Sequence, residues 1–462
     1  MNTITITLKD LSKLPETDGS IYVAGWINGG SSGFKTMNDK GKFVPLGSTD
    51  TKLKFHKLSN IEAVTLSEST NGNDRLLFTA TPTTPSGLSL LQNKAGVYDD
   101  VQMYTQSPYS AAPGVAPEGP YDVFEFGMNA AFDLSAVNGF ALNLRFAVPE
   151  NGDQPAQEFG VHGKVSRAQV GTAFTSFLTN QSGVPGADAF GDLLYDGPMS
   201  GSTYTPPMIG GQYFSIADPN DYLAAITGNY VNDTTSGLKT YWTSTLQKFF
   251  VAGNTLAISI PVSENPNNIY SGSCITYTNP TTKTDMLAYR LVNSTGDRTY
   301  YYFNPLGADP ITAPNDLQGA QYVFQQAFTN TLTPGIVGVS EAQLVQDAIW
   351  EAICRGVVLD GTFVAGEISE DPQFSTTAWN NPETWYGDKK VSHLFAKFLH
   401  CSDVDGNDYR SAGTDPIMIG GAAYGFSMDE APMGAYSGPQ VPSKTTYNIG
   451  SGTVAVAIGP WS

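Results

Sequence analysis

Apolar and polar residues alternate along "MNTITITLKDL" from the second residue on, which is the period-two pattern of a half-buried strand. "SIYVAGWINGG", "KFVPLG", "NIEAVTLSE", "RLLFTATP" and "GFALNLRFAV" are further short apolar or alternating runs. Gly, Asn, Asp and Pro separate them. Strands this short and this closely spaced predict a sandwich or barrel over the first 165 residues. The chain closes on one more such run, "GTVAVAIGPW".

After residue 165 the period changes. "SRAQVGTAFTSFLTN" reads as a short helix. "DPNDYLAAITGNYVNDTTSGLKTYWTSTLQKFF" mixes helical and extended signals, "NTLAISIPVS" is a strand, and "DMLAYRLVNSTGDRTYYYFNP" is a hairpin. In "SEAQLVQDAIWEAICRG" Ser340 and Gln343 have the spacing of a capping box. Leu344, Val345, Ala348, Ile349, Ala352 and Ile353 make one apolar face there, and Gly356 suits the exit. "NDLQGAQYVFQQAFTNTL" and "VSHLFAKFLHC" are further helices. The expected fold class is β-rich α+β. A β-domain over 1–165, joined by the terminal segment 440–462, packs against a mixed α/β domain over 166–440.

Composition narrows the function. Charged residues are 15% of the chain, and 48 Gly with 29 Pro imply many turns. The net charge of −19 argues against nucleic acid and anionic membranes, which need a basic surface. It suits a neutral ligand such as a glycan, or serves only solubility. No apolar run has the length of a membrane span. The N-terminus lacks the regions of a signal peptide. The chain is therefore expected to be soluble, and its composition fits an extracellular or exported protein. Cys274, Cys354 and Cys401 show no metal or redox spacing and allow one disulfide. Of the four histidines only His393 and His400 are near each other, too far apart on one helix to share an ion. "DVDGND", 403–408, has its Gly misplaced for a calcium loop and reads as a surface turn. No metal or cofactor is expected.

The chemistry concentrates in "YDVFEFGMNAAFDLSAVNGFALNLRF", which carries Asp122, Glu125 and Asp133. Glu125 lies between Phe124 and Phe126, so in a strand it faces away from both rings. A glutamate in an alternating strand is commonly an outer-face residue. Asn138-Gly139 is likewise a common hairpin turn. Trp379, Trp385 and Tyr386 lie in a loop-like "AWNNPETWYGD", and aromatic faces of this kind stack on sugars when exposed.

Three stretches together, "FEFGMN…FDLSAVNGFALNL", "LVQDAIWEAICRGVVL" and "HLFAKFLHCSDVDGNDY…GAAYGFSMDEAP", resemble glycoside hydrolase family 64. These are the laminaripentaose-producing β-1,3-glucanases, which share a thaumatin-like β-domain. The resemblance spans roughly residues 100 to 462. It implies a thaumatin-like sandwich or barrel against a mixed domain, with a wide groove for linear β-1,3-glucan between them. It implies an inverting mechanism with Glu125 as acid. The position of the family's aspartate base is held by Asn138, which cannot take a proton from water. Asp133, five residues upstream, is the candidate substitute. Asn129, Tyr424, Asp429 and Glu430 join the three aromatic residues as glucan-binding candidates by the same resemblance.

Three functions follow as alternatives. The protein hydrolyses β-1,3-glucan, it binds the glucan without cutting it, or it is a structural or toxin-like protein on the same scaffold. Oligomeric state is not legible in the sequence.

Overall fold

The computed structural model describes residues 3–28, 33–68, 74–104, 116–128, 131–136, 139–149, 156–197, 205, 207–227, 236–262, 265–306, 324, 341–361, 373–412, 415–419, 447–448 and 451–462. Alternation becomes strand throughout the first third. In chain order the strands are β1 (Ile4–Asp10), β2 (Ser20–Asn28), β3 (Phe34–Met37), β4 (Phe43–Pro45), β5 (Lys52–Leu53), β6 (His56–Lys57) and β7 (Ala63–Leu66). There follow β8 (Asp74–Thr81), β9 (Leu88–Gln92), β10 (Tyr98–Val101), β11 (Tyr121–Phe126), β12 (Ala131–Ser135), β13 (Leu144–Val148) and β14 (Gln157–Gly160). The second part carries α1 (Arg167–Asn180), β15 (Leu194–Tyr195), β16 (Ser215–Ile216), α2 (Pro219–Thr227) and α3 (Thr243–Phe249). It continues with β17 (Thr255–Val262), β18 (Asn265–Thr278), β19 (Asp285–Asn293), β20 (Thr299–Phe303), α4 (Glu341–Cys354), β21 (Phe374–Ser375) and α5 (Leu394–Cys401). Two strands end the chain, β22 (Tyr447–Asn448) and β23 (Gly452–Ile458). The fold is β-rich α+β.

Three sheets are layered in the first part. An eight-stranded sheet runs β22-β12-β11-β8-β2-β3-β4, with β6 also on β2. One face packs on a five-stranded sheet ordered β14-β13-β23-β1-β7 through Ile4, Ile6, Phe78, Phe124, Phe146 and Val456. Its other face carries Tyr22, Trp26, Leu77, Tyr121 and Val123 under the small sheet β10-β9-β5. With both faces covered, β2 and β8 lose the simple alternation of a half-buried strand, and seven successive residues of β2 are buried. The C-terminal β23 pairs in parallel with β1 and antiparallel with β13.

The second part adds the sheet β20-β19-β18-β17-β21 and the helices. Helix α1 starts on a capping box: Ser166 Oγ accepts from Gln169 N at 3.2 Å, and Gln169 Oε1 accepts from Ser166 N at 2.8 Å. Segment 218–250, mixed in its signals, holds α2 and α3. Val345, Ala348, Ile349, Ala352 and Ile353 of α4 face the core, and Gly356 leaves it at φ +74°. Ser340 lies outside the described residues. Helix α5 is capped by His393, whose Nδ1 accepts from Ala396 N at 3.2 Å, and His400 sits in its last turn. The 403–408 segment is a turn: Asp403 is buried and its Oδ1 accepts from Asp405 N and Asn407 N. All three cysteines are buried, and none is in a disulfide. No helix among the described residues is long and apolar enough to cross a membrane.

Candidate carboxylate site on the eight-stranded sheet

Strand β11 sorts the three acidic groups by parity. Phe124 and Phe126 are buried in the main core, so Glu125 projects from the opposite face. Asp122 shares the rings' face and is itself buried. Its Oδ1 accepts from Ala141 N at 3.0 Å and its Oδ2 from Leu142 N at 2.7 Å. Asp122 is thus the clasp that holds the segment after Gly139, with both oxygens committed to backbone.

Register then gives Glu125 its neighbours. It lies directly opposite Asp133 of β12 on one side and Arg75 of β8 on the other. The row continues through Trp26 of β2 to Thr36 of β3. Arg75 Nε donates to Glu125 Oε1 at 3.0 Å, with side chains 26% and 33% exposed. Opposed residues of antiparallel strands have Cβ atoms about 4.5–5.5 Å apart and side chains on one face. Glu125 and Asp133 are therefore a cross-strand carboxyl pair, Glu125 partly exposed and Asp133 with its Oδ1 buried, and Glu125 is braced from the third strand by a guanidinium. Arg75 has no sequence signal of its own, because only the β8–β11 register couples it to Glu125.

The turn after β12 is also built for close approach. Gly139 N donates to Ala136 O at 3.0 Å, and Gly139 has φ +115°. A Cβ there would lie 2.6 Å from Ile216 O, so only glycine fits. Phe140 and Ile216 exchange two backbone hydrogen bonds of 2.8 Å. This pairing brings Asp218 beside the turn. Asp218 is buried, its Oδ1 accepts from Asn220 N at 2.8 Å, and burial pushes its carboxyl up to about 7.

Asn138, Asn129, Tyr424, Asp429 and Glu430 lie outside the described residues. The aromatic candidates are placed elsewhere than expected. Trp379, Trp385 and Tyr386 are 2%, 3% and 1% exposed, so none offers a ring face to a sugar in this structure. Trp385 Nε1 donates to Trp379 O at 2.6 Å, and the Arg355 guanidinium lies 4.0 Å from the Trp385 ring centre. Tyr386 stacks at 6.0 Å on His400. The Asn-, Pro- and Gly-rich sequence makes tight turns here, and those turns fold the rings inward against α4 and α5. No group of His, Cys, Asp and Glu that could hold a metal is found among the described residues.

No protein-family model matches the chain, and no curated protein matches it in sequence. Solved structures do match. A β-1,3-glucanase domain of family GH64 from Clostridium beijerinckii is similar over 99% of this chain and 98% of its own, with TM-score 0.61 at 16% identity. This chain has a GH64-like fold. The laminaripentaose-producing GH64 β-1,3-glucanase from Paenibacillus barengoltzii is similar over 99% of this chain and 75% of its own, with TM-score 0.52 at 13% identity. The same enzyme complexed with laminarihexaose gives 0.51 at 12%.

Proposed function

We propose that the protein acts on linear β-1,3-glucan, with Glu125 and Asp133 flanking the bond to be cut. The observation that carries this reading is the pairing of those two carboxyls across β11 and β12, on a fold like that of β-1,3-glucanases. Glycoside hydrolysis needs two carboxyl groups, about 6.5–9.5 Å apart for inversion and about 5–5.5 Å for retention. In the inverting form Glu125 protonates the leaving glycosidic oxygen. Asp133 takes a proton from the water that attacks the anomeric carbon from the other side. Arg75 holds Glu125 in place through Oε1.

A second reading, glucan binding without turnover, is favoured by one observation. Asn138 stands where the resemblance places the base, and an amide cannot accept the water's proton.

Incubation with linear β-1,3-glucan, with chromatography of the products beside a pull-down on insoluble glucan, separates the two. Discrete oligosaccharides that fall by about 10²–10⁴-fold in Glu125→Gln support hydrolysis. Asp133→Asn should then lose turnover to a comparable degree while retention on glucan persists. Retention with no product supports the binding reading, and gain of turnover in Asn138→Asp would identify its cause. Neither retention nor product refutes both.

A further inference from the structure

We propose a second binding site, for a neutral sugar ring, in the cavity between the β3–β4 turn and the start of β6. It has a volume of about 370 Å³, within the roughly 300–1,000 Å³ of small-molecule sites. Its walls include Tyr22 and Phe55 together with Asp39, His56, Asn60 and Thr84. The site deepens the glucan reading, and rests on it only for the linkage of the sugar.

Three features select the ligand. The first is an apolar wall: Tyr22 and Phe55 are more than nine-tenths buried in the core beneath the small sheet, and each leaves a small part of its surface to the cavity. The apolar surface they add to the wall gives a sugar ring contact at little entropy cost. The second is unspent hydrogen-bonding capacity. The Asp39 carboxylate and the Asn60 amide are exposed and have no side-chain hydrogen bond among the described residues. His56 Nε2 lies 3.2 Å from Met37 O; with the proton on Nε2, the neutral ring leaves Nδ1 as an acceptor. Carboxylate, amide and imidazole together match hydroxyls that both donate and accept. The third is charge. Lys57, also in the wall, is paired with Glu16 at 3.0 Å, so Asp39 leaves the cavity with an acidic balance that disfavours anions.

The walls are held before any ligand arrives. Asn38 Oδ1 accepts from Lys40 N at 2.9 Å and from Lys42 N at 3.0 Å, which fixes the turn that carries Asp39. Asn60 is in the single 3₁₀ turn Leu58–Asn60, closed by Ile61 N to Leu58 O at 3.0 Å. Thr84 Oγ1 donates to Tyr22 Oη at 3.4 Å. The cavity is separate from Glu125. Tyr22 is four residues before Trp26 on β2, about 13 Å along the strand, and β2 is two strands from β11, about 10 Å across.

The test is calorimetric titration of β-1,3-linked glucotriose into the Glu125→Gln chain, with and without Asp39→Ala plus Asn60→Ala. Both added substitutions are at exposed positions, and the folded state is checked by circular dichroism. Two binding events are expected in Glu125→Gln. The double substitution should weaken one at least tenfold and leave the other unchanged. In the chain with Glu125 intact it should leave cleavage of short soluble glucan unaltered. Identical isotherms with and without the double substitution overturn the proposal. A single event abolished by the double substitution supports this site and refutes the glucan site at Glu125. If the triose binds nowhere, the glucan reading fails, and the cavity is judged with free glucose. Binding of glucose lost on the double substitution supports it, and no binding overturns it.

Discussion

Asp122, Asp218 and Asp221 are all buried, at 3%, 5% and 2% exposure, and a carboxylate out of water must be compensated or protonated. Asp122 is compensated by two backbone N–H groups at the Ala141–Leu142 turn. Asp218 has backbone N–H donors from Asn220 and Asp221, but burial outweighs them and raises its carboxyl from 3.8 to about 7. The folded chain therefore keeps a proton that the unfolded chain releases across that interval. Stability from this group is full below about 3.8 and is lost as pH rises to about 7. Asn caps a helix as well as Asp does, so Asp218→Asn keeps the geometry and removes the titration. Melting of both proteins from pH 4 to pH 8 should show the variant gaining on the parent through that window and level above it. Parallel curves would refute the raised carboxyl.

Elements were legible where one face decides the pattern. Glu125 between two phenylalanines fixed its direction, because side chains alternate along a strand. The partners across the sheet were not legible: Arg75 is 50 residues from Glu125, and only the register joins them. The tryptophans of 379–385 misled for a related reason. Their local composition is that of a loop, while Trp385 is buried against Arg355 just after α4 and Trp379 against Phe249 of α3, both remote in sequence. Segment 218–250 gave mixed signals because α2 and α3 are only nine and seven residues long, too short for a clear period. Helix α1 is the contrary case, 14 residues with reciprocal capping by Ser166 and Gln169. Ser166→Ala should lower stability by about 1 kcal/mol, while Ser166→Asp should lose little. Urea midpoints of the two variants check this, and equal losses would mean that the cap contributes nothing.

At the scale of the whole molecule, one core cluster runs from Ile4 in the first sheet to Tyr289 in the last, and the C-terminus is where its parts are tied together. Trp461 N donates to Ser12 O at 2.8 Å, beside β1. Its carbonyl accepts from Ala168 N of α1 at 3.2 Å and from Gln212 Nε2 at 2.9 Å. Its indole Nε1 donates to Ile209 O at 3.2 Å, and the ring packs 4.6 Å from the guanidinium of Arg167. Arg167 is fully buried. It is balanced by the carbonyls of Ala141, Tyr213 and Phe214 and by the faces of Tyr213 and Trp461. Trp461→Ala would remove the ring, break the Ile209 bond and leave a buried cation beside a cavity. A loss of about 3–5 kcal/mol follows from the ring alone. Because the core is continuous, the loss should be felt far from position 461. Cys274 in β18 reports on the distant sheet, since its buried thiol is pushed up to about 11 and reacts only when exposed. Urea unfolding followed by circular dichroism and by Cys274 labelling, with the other two cysteines replaced by serine or alanine in a folded background, should shift by the same amount in Trp461→Ala. A shift in the first signal with none in the second would mean that the sheets unfold independently and that the C-terminus ties only the β-layers.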